Sequence, residues 1–263
     1  MPYIWSLNVV AMAEVLHTAL AQWQTGEKEN AFQLWKSALI ESMYLGNSAG
    51  NLVQVSFYDA IRGETYRDFA DPVAMTARSL VEGLYGITPK ALDHQLLIRP
   101  GFPKQWDKAS IVLPDIDFSF TRKGLTDQYL IQNMFVAKMD LLLKLPAEAA
   151  EIVSVLVNGK PSKWVNDASA VGSPMIEIKA SYAKSYNIVI QWKKQASLPL
   201  IPEQKTATGN PWSLTVANAT IQSVKDPQSV LVNSKHDGKS IQGNIAAMPG
   251  LHCIFLQLSS GSL

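Results

Sequence analysis

One irregular stretch of the sequence concentrates the side chains that could do chemistry. Residues 46–71 show neither helical nor strand periodicity, and a stretch of this length inside a compact domain is usually functional or disordered. Its acids are Asp59, Glu64, Asp68 and Asp71, its aromatic residues include Phe57, Tyr58 and Tyr66, and its arginines are Arg62 and Arg67. The aromatic content argues against disorder. Carboxylates here could transfer protons, with the aromatic rings and arginines holding a ligand beside them.

The same charges have an ordinary interpretation, which stays open. Each acid could be a solvated or salt-bridged loop charge. Asp71 is interpreted as a helix cap, because Pro72 follows it and proline suits the first position of a helix.

Helical periodicity dominates the chain before residue 88. An apolar stripe at spacings of three and four predicts a first helix that ends at Gly26, and it comprises Val9, Met12, Ala13, Leu16, Ala19, Leu20 and Trp23. A second helix is predicted from about Glu27 to Leu45. A third is predicted from Asp71 to Gly86. The first two are joined by very few residues and should form an antiparallel hairpin.

After Pro89 the pattern becomes that of short strands. The strand-like segments are QLLIRP, ASIVLP, DIDFSFT, QYLIQNMFVA, DLLLKLP, EIVSVLVNG, MIEIKA and YNIVIQW. Turn signals such as Lys123-Gly124 and Asn158-Gly159 separate them. Many short strands predict a β-sandwich. Residues 199–211 are typical of a linker, and a smaller β region follows.

The composition narrows the range of ligands. Lys and Arg together number 23 against 22 Asp and Glu, which gives no reason to expect nucleic acid as a partner and leaves neutral, polyhydroxylated ligands open. No apolar run is long enough to predict a membrane span. The N-terminus lacks the features of a signal peptide. His17, His94, His236 and His252 show no metal-ligand spacing, no phosphate-binding loop follows a strand, and we expect neither metal nor cofactor.

The single cysteine and the tryptophans are interpreted structurally. Cys253 lies in the segment LHCIFLQL and is predicted to be buried. Trp23 and Trp35 fall on apolar helical stripes and are predicted to be core residues. Trp212 follows a Gly-Asn-Pro turn and is the tryptophan most expected to be exposed.

The segment DPVAMTARSLVEGLYGITPKALDHQLLIRPGFPKQW resembles the end of the barrel in six-hairpin glycosidases. In that superfamily a Gly-Ile pair ends the last helix, and the motif L-x-I-x-P-x-x-P-x-x-W leads into a sandwich. Here Gly86 and Ile87 form the pair, and the motif residues are Leu96, Ile98, Pro100, Pro103 and Trp106. The later segment VLVNGKPSKW also resembles part of that sandwich. The resemblance is closest to large proteins of gut Bacteroidetes.

This resemblance implies an α+β fold, in which the last helices of an α/α toroid precede antiparallel β-sandwich structure. It implies three regions: barrel helices in residues 1–90, a sandwich in 91–196, and a linker with a small β region in 197–263. The stretch 46–71 would then lie at the barrel mouth. Its implied catalytic residues are Glu64 and Asp68, and its implied substrate-binding residues are Tyr58, Asp59, Arg62, Tyr66 and Arg67. One departure is that Arg78 occupies the position of a family glutamate, with Glu82 one turn later.

The resemblance further implies a piece of a glycoside hydrolase that acts on a glycan. Hydrolysis of a glycosidic bond needs two carboxyl groups, and the second is expected in a missing N-terminal part of the same polypeptide. We therefore expect no activity from these residues alone, association with that missing part, and an exported parent protein in the periplasm or at the cell surface. The alternative is a non-catalytic carbohydrate-binding or structural module. A phosphorylase is a weaker alternative, because the stretch 46–71 has no histidine.

Overall fold

The chain has 263 residues and is represented by a computed structural model. The structure describes residues 9–10, 12–45, 55–56, 70–193, 198–199, 201, 204–248 and 250–263. The chain divides into a larger unit, residues 1–147 with 155–189, and a smaller unit, residues 148–154 with 190–263. The division into three regions expected from the resemblance stays a prediction.

Three short α-helices occur among the described residues: α1 (Met12–Thr25), α2 (Lys28–Ile40) and α3 (Ala70–Arg78). Turns of π-helix continue α2 through Glu41–Leu45 and α3 through Ser79–Leu84. Gly26 has a φ of +95°, which stops α1 and turns the chain into α2. The buried stripe of α1 packs against Ala38 of α2 and Met75 of α3. The helices thus lie where the apolar periodicity predicts them, except that Val9, placed on the stripe of the first helix, lies in a short strand.

The α/α toroid expected from the resemblance is wrong. The described chain is mainly β-sheet, and its three short helices do not form a toroid. The expectation assumed that wide apolar helical faces need further helices as partners. In the structure these faces find partners within the chain, since Trp23 of α1 donates a hydrogen bond from Nε1 to the Gly101 carbonyl and Phe32 of α2 contacts Trp106 edge-on. Only the β-rich part of the fold prediction agrees with the structure.

The strands fall into several sheets. A short pair combines β1 (Val9–Val10) with β2 (Val55–Ser56). The next strands are β3 (Ile87–Lys90), β4 (Gln95–Ile98), β5 (Lys108–Leu113), β6 (Ile116–Lys123), β7 (Thr126–Asn133) and β8 (Asp140–Pro146). They are followed by β9 (Ile152–Val157), β10 (Lys160–Pro161), β11 (Trp164–Asn166), β12 (Met175–Ala180) and β13 (Ser185–Trp192).

Two of these sheets form the sandwich. One has six strands in the order β10-β9-β13-β7-β6-β5, and the other has five in the order β11-β12-β8-β4-β3. Alternate residues are buried on β4, β6, β7, β12 and β13, as Ile116, Phe118 and Phe120 are on β6, which gives each sheet one apolar inner face. The described pairings within these sheets are antiparallel except that β4 runs parallel to β8, with Gln95 opposite Asp140. The β-sandwich predicted from the many short strand-like segments is therefore present.

An aromatic cluster closes the sandwich beside the edge strand β5. Phe102 contacts Tyr85, Phe118 and Phe120, with ring centroids 5.3, 6.1 and 5.4 Å away. The Tyr85 hydroxyl donates a 2.6 Å hydrogen bond to the Ser110 carbonyl of β5. Burial raises the pKa of this hydroxyl. One backbone acceptor on an otherwise open sheet edge is therefore covered.

Replacing Tyr85 with phenylalanine should lower the free energy of unfolding by about 0.5–1.5 kcal/mol, because the part-buried hydrogen bond to the Ser110 carbonyl is lost while the ring packing stays. Urea denaturation followed by far-UV circular dichroism measures this change. Tyr182→Phe is the matched control, since no hydrogen bond from the hydroxyl of this half-buried tyrosine is found among the described contacts. Equal stability of the Tyr85→Phe variant and the parent would show that water replaces the tyrosine donor.

The smaller unit has its own strands and core. Its later strands are β14 (Pro211–Thr215), β15 (Thr220–Lys225), β16 (Leu231–His236), β17 (Ser240–Ile245) and β18 (Phe255–Ser259). They form a three-stranded sheet, β14-β17-β16, and a pair, β15-β18. The buried residues of this core are Leu214, Val216, Ile221, Leu231 and Ile241. A small apolar core thus accompanies these two sheets.

Candidate functional site

The residues predicted to catalyse and to bind substrate lie outside the described residues. They are Glu64, Asp68, Tyr58, Asp59, Arg62, Tyr66 and Arg67. Their roles stay predictions. Among the described residues on either side, Asp71 lies in the first turn of α3, where a carboxylate favours the helix dipole, rather than just before the helix. Arg78 and Glu82, which depart from the family pattern, form an exposed ion pair of 3.0 Å with each other.

The structure also describes the surroundings of the potential metal ligands, the tryptophans and the cysteine considered in the sequence. No group of three or more potential metal ligands occurs in the part of the chain that the structure describes. Trp23 is buried and Trp35 partly buried, as predicted. Trp212 packs against the core of the smaller unit and is half-buried, so the expected exposure is not found. The prediction that Cys253 is buried is wrong, because this cysteine is exposed and precedes the strand β18.

The outer face of the six-stranded sheet carries an ordered array of polar side chains. Because Phe118 and Phe120 point into the core, the alternate residues of β6 point outward. The registers of β5, β6 and β7 place the outward residues in three rows, namely Lys108, Thr121 and Gln128, then Ser110, Ser119 and Leu130, and then Val112, Asp117 and Gln132. Neighbouring side chains within a row are about 4.8 Å apart, so the array offers hydroxyl, amide and apolar groups at regular spacing, with one cation, Lys108, and one anion, Asp117, in its outer rows.

Amide side chains extend this array onto β13. Gln128 Nε2 donates to Asn187 Oδ1 at 2.9 Å. The Asn187 backbone N–H donates to Asn158 Oδ1 at 2.7 Å, and Asn158 Nδ2 donates to the Ser185 carbonyl at 3.2 Å. The Asn158-Gly159 turn that holds this network was predicted from the sequence, and both of its residues have positive φ. The side chains on this part of the face are held in place before any ligand arrives.

A cleft lies on the side of the larger unit that carries the five-stranded sheet. Its walls come from the α1–α2 turn, the segment after β4, the end of β8 and the start of β12. The lining residues are Trp23, Gly26, Lys28, Arg99, Pro100, Gly101, Pro146, Ser173 and Met175. Its enclosed space of about 20 Å³ is room for roughly one water molecule. The cleft could therefore enclose the end of a ligand but not a whole sugar ring.

Arg99 is one of two half-buried cations that line this cleft, the other being Lys28. Its Nη2 donates a 3.1 Å hydrogen bond to the Trp23 carbonyl, near the end of α1, where a cation is favourable. Burial lowers the pKa of the guanidinium, and the negative charge of Asp167 partly opposes that shift. The group nevertheless stays charged at neutral pH. Arg99 thus combines a helix-capping contact with a position on the cleft wall.

Asp167, the acid whose charge acts on Arg99, is hydrogen-bonded to Lys144 and Ser169. Asp167 Oδ2 accepts a 2.8 Å hydrogen bond from Lys144 Nζ, and its Oδ1 accepts from the backbone N–H and the hydroxyl of Ser169. Lys144 also pairs with Glu177 at 2.7 Å. Burial alone would raise the pKa of Asp167, but these hydrogen bonds and the charge of Lys144 lower it. Asp167 is therefore an ionised partner of Lys144 rather than a ligand of the Arg99 guanidinium.

Comparison with known proteins adds no relative to this description. No family model matches the chain, and no curated protein sequence matches it.

The resemblance to six-hairpin glycosidases is therefore wrong as well. Its motif residues have local structural roles, since Leu96 and Ile98 are buried on β4 and Trp106 stacks on Phe102 and meets Phe32. These contacts join the helices to the sandwich without requiring a barrel. Separately, none of the described helices is both long and apolar enough to cross a bilayer, in agreement with the expectation of no membrane span.

Proposed function

We propose that this chain is a non-catalytic carbohydrate-binding module that holds a neutral glycan against the outer face of the six-stranded sheet. The observation that carries the proposal is the array of outward side chains on β5, β6 and β7, together with Asn187 on β13. Hydroxyl and amide groups each donate and accept hydrogen bonds, as sugar hydroxyls do. The formal net charge of +1 fits a neutral ligand better than a strongly charged one.

The open form of the face supports a glycan site there rather than in the cleft beside Arg99. An open sheet face accommodates an extended chain of sugars, whereas a cleft with room for one water molecule does not. Leu130 and Val112 are exposed to 43% and 79% and offer apolar contact to the C–H faces of sugar rings. Each added hydrogen bond contributes about 1 kcal/mol, so several rows of the array are needed for measurable affinity.

The test is a titration of the protein with a panel of neutral polysaccharides, measured by calorimetry and by ¹H–¹⁵N NMR. We expect one member of the panel to bind, with the largest NMR shifts on β6 and β7. The double variant Gln128→Ala/Gln132→Ala should bind at least about tenfold more weakly, equivalent to roughly 1.4 kcal/mol. Gln24→Ala is the matched control, because Gln24 is an exposed glutamine on α1.

Three outcomes would contradict the proposal. The first is the absence of binding by every neutral glycan at millimolar concentration, which would favour a structural module. The second is release of new reducing ends during incubation with a bound glycan, which would show that the chain is catalytic. Binding that the double variant leaves unchanged would place the glycan on a different surface.

A further inference from the structure

We propose that the cleft around Arg99 is a binding site for a carboxylate group, separate from the sheet face described above. The inference starts from the hydrogen-bonding capacity of the guanidinium. A guanidinium has five N–H donors in a planar fork. Among the described residues, the Trp23 carbonyl is the acceptor to which Arg99 donates, and Asp167 is engaged with Lys144. The remaining N–H groups have no acceptor within the described part of the chain.

The lining of the cleft favours an oxyanion with an apolar body. Trp23, Pro100, Pro146 and Met175 make most of the wall apolar, while Lys28 and Ser173 add a second cation and a hydroxyl. A mostly apolar concavity with a few converging polar groups is the usual form of a small-molecule site. An arginine in such surroundings binds a carboxylate through two parallel hydrogen bonds.

The size of the enclosed space selects the part of the ligand that enters. Space for about one water molecule accommodates the carboxylate itself and leaves the rest of the ligand at the mouth, beside Ser173 and Lys28. The carboxylate could belong to an acidic sugar or to a small organic acid, since both offer the same planar group. The site is lined by residues of α1, β8 and β12 and not by the array on β5, β6 and β7, so it does not depend on the proposed neutral-glycan site.

The experiment titrates the ¹⁵N-labelled protein with glucuronate, acetate, glucose and sulfate at constant ionic strength. The indole N–H of Trp23 is the reporter, because this ring lines the cleft and its Nε1 donates to Gly101. We expect saturable shifts with glucuronate and none with glucose. Acetate that binds as tightly as glucuronate would identify a small organic acid as the ligand class, and tighter binding of glucuronate would identify an acidic sugar.

Variants separate this site from general attraction of anions. Arg99→Lys keeps the charge but loses the planar fork, and it should weaken binding of glucuronate at least tenfold. Since Arg99 also caps α1, a second variant leaves it in place: Ser173→Glu puts a carboxylate at the mouth and should abolish binding. Val171→Glu is the matched control, because it adds the same charge to the same loop at an exposed residue that does not line the cleft.

The inference is overturned if neither carboxylate probe shifts the Trp23 signal, or if sulfate shifts it as strongly as glucuronate does. Equal weakening by Ser173→Glu and Val171→Glu would also overturn it, because the effect would then be a general one of charge. The Gln128→Ala/Gln132→Ala variant should lose neutral-glycan binding and keep glucuronate binding. That result would show that the sheet face and the Arg99 cleft are independent binding sites.

Discussion

Replacing Gly86 with alanine should destabilise the larger unit by at least about 3 kcal/mol, the largest effect that we expect from any single methyl group in this chain. Gly86 has a φ of +67°, which costs energy for a residue with a side chain. A Cβ atom here would also overlap the carbonyl carbon and oxygen of Arg99. Gly86 directly precedes β3 and Arg99 directly follows β4, and these two strands are paired. The two residues cannot move apart, because the Arg99 N–H donates a 2.9 Å hydrogen bond to the Gly86 carbonyl.

The control for Gly86→Ala is Gly124→Ala. Gly124 has a φ of +60°, close to that of Gly86, but a Cβ added there meets no atom within 4 Å. The control should therefore lose only the backbone term of about 1–2 kcal/mol. Urea denaturation of both variants measures the difference, which isolates the steric clash with Arg99. Similar losses in the two variants would mean that β3 and β4 can separate to admit the methyl group.

Replacing Trp23 with alanine should lower the free energy of unfolding by about 3–5 kcal/mol. The Trp23 ring is wedged between Gly83 and Gly101, and a Cβ atom added to either glycine would overlap the indole. Its Nε1 donates a 3.0 Å hydrogen bond to the Gly101 carbonyl, and its ring meets Trp35 edge-on with centroids 6.2 Å apart. The substitution therefore removes a large buried ring, leaves a cavity and leaves a buried carbonyl without its donor.

Two further variants serve as comparisons for the stability of Trp23→Ala. Trp23→Phe keeps an aromatic ring in the slot and should lose less stability than the alanine variant. Tyr44→Ala removes an aromatic side chain that is 70% exposed, and it should change stability by less than about 0.5 kcal/mol. Thermal and urea denaturation measure all three. A Trp23→Ala variant as stable as Tyr44→Ala would show that the helices do not depend on this slot.

The elements of the fold were largely predictable, because local patterns determine them. Strand-like segments between turn signals predicted the sandwich strands from β4 to β9, together with β12 and β13. The strand β17 was missed because its sequence SIQGNI is polar and contains Gly243. The strand β3 was missed because Pro89 suggested the end of a helix rather than a strand. Cys253 was placed wrongly because the apolar run begins before the strand does.

The partners of the helices were not predictable from the same patterns. An apolar stripe shows that a helical face is buried but not what covers it. The slot for Trp23 depends on the absence of side chains at Gly83 and Gly101, and these glycines lie far from Trp23 in sequence. Because that slot cannot be inferred from the sequence, additional barrel helices were the expected packing partners of the apolar helical faces. Arg99 was overlooked for a related reason, since it occupies an unspecified position of the L-x-I-x-P motif and its cleft forms only when distant segments meet.

The parallel pairing of β4 with β8 bears on the order in which the sandwich forms. The chain leaves β4 at Ile98, builds β5, β6 and β7 as successive antiparallel neighbours, and returns only at Asp140. Those three strands need only short loop closures, whereas β8 must be brought back across the whole intervening segment. Non-local pairings of this kind slow folding, because the entropy of closure is lost before any contact compensates for it. The topology therefore lets the β5, β6 and β7 part of the face proposed to bind glycans form early, while β13 joins that face later and the five-stranded sheet, and with it the Arg99 cleft, is completed late.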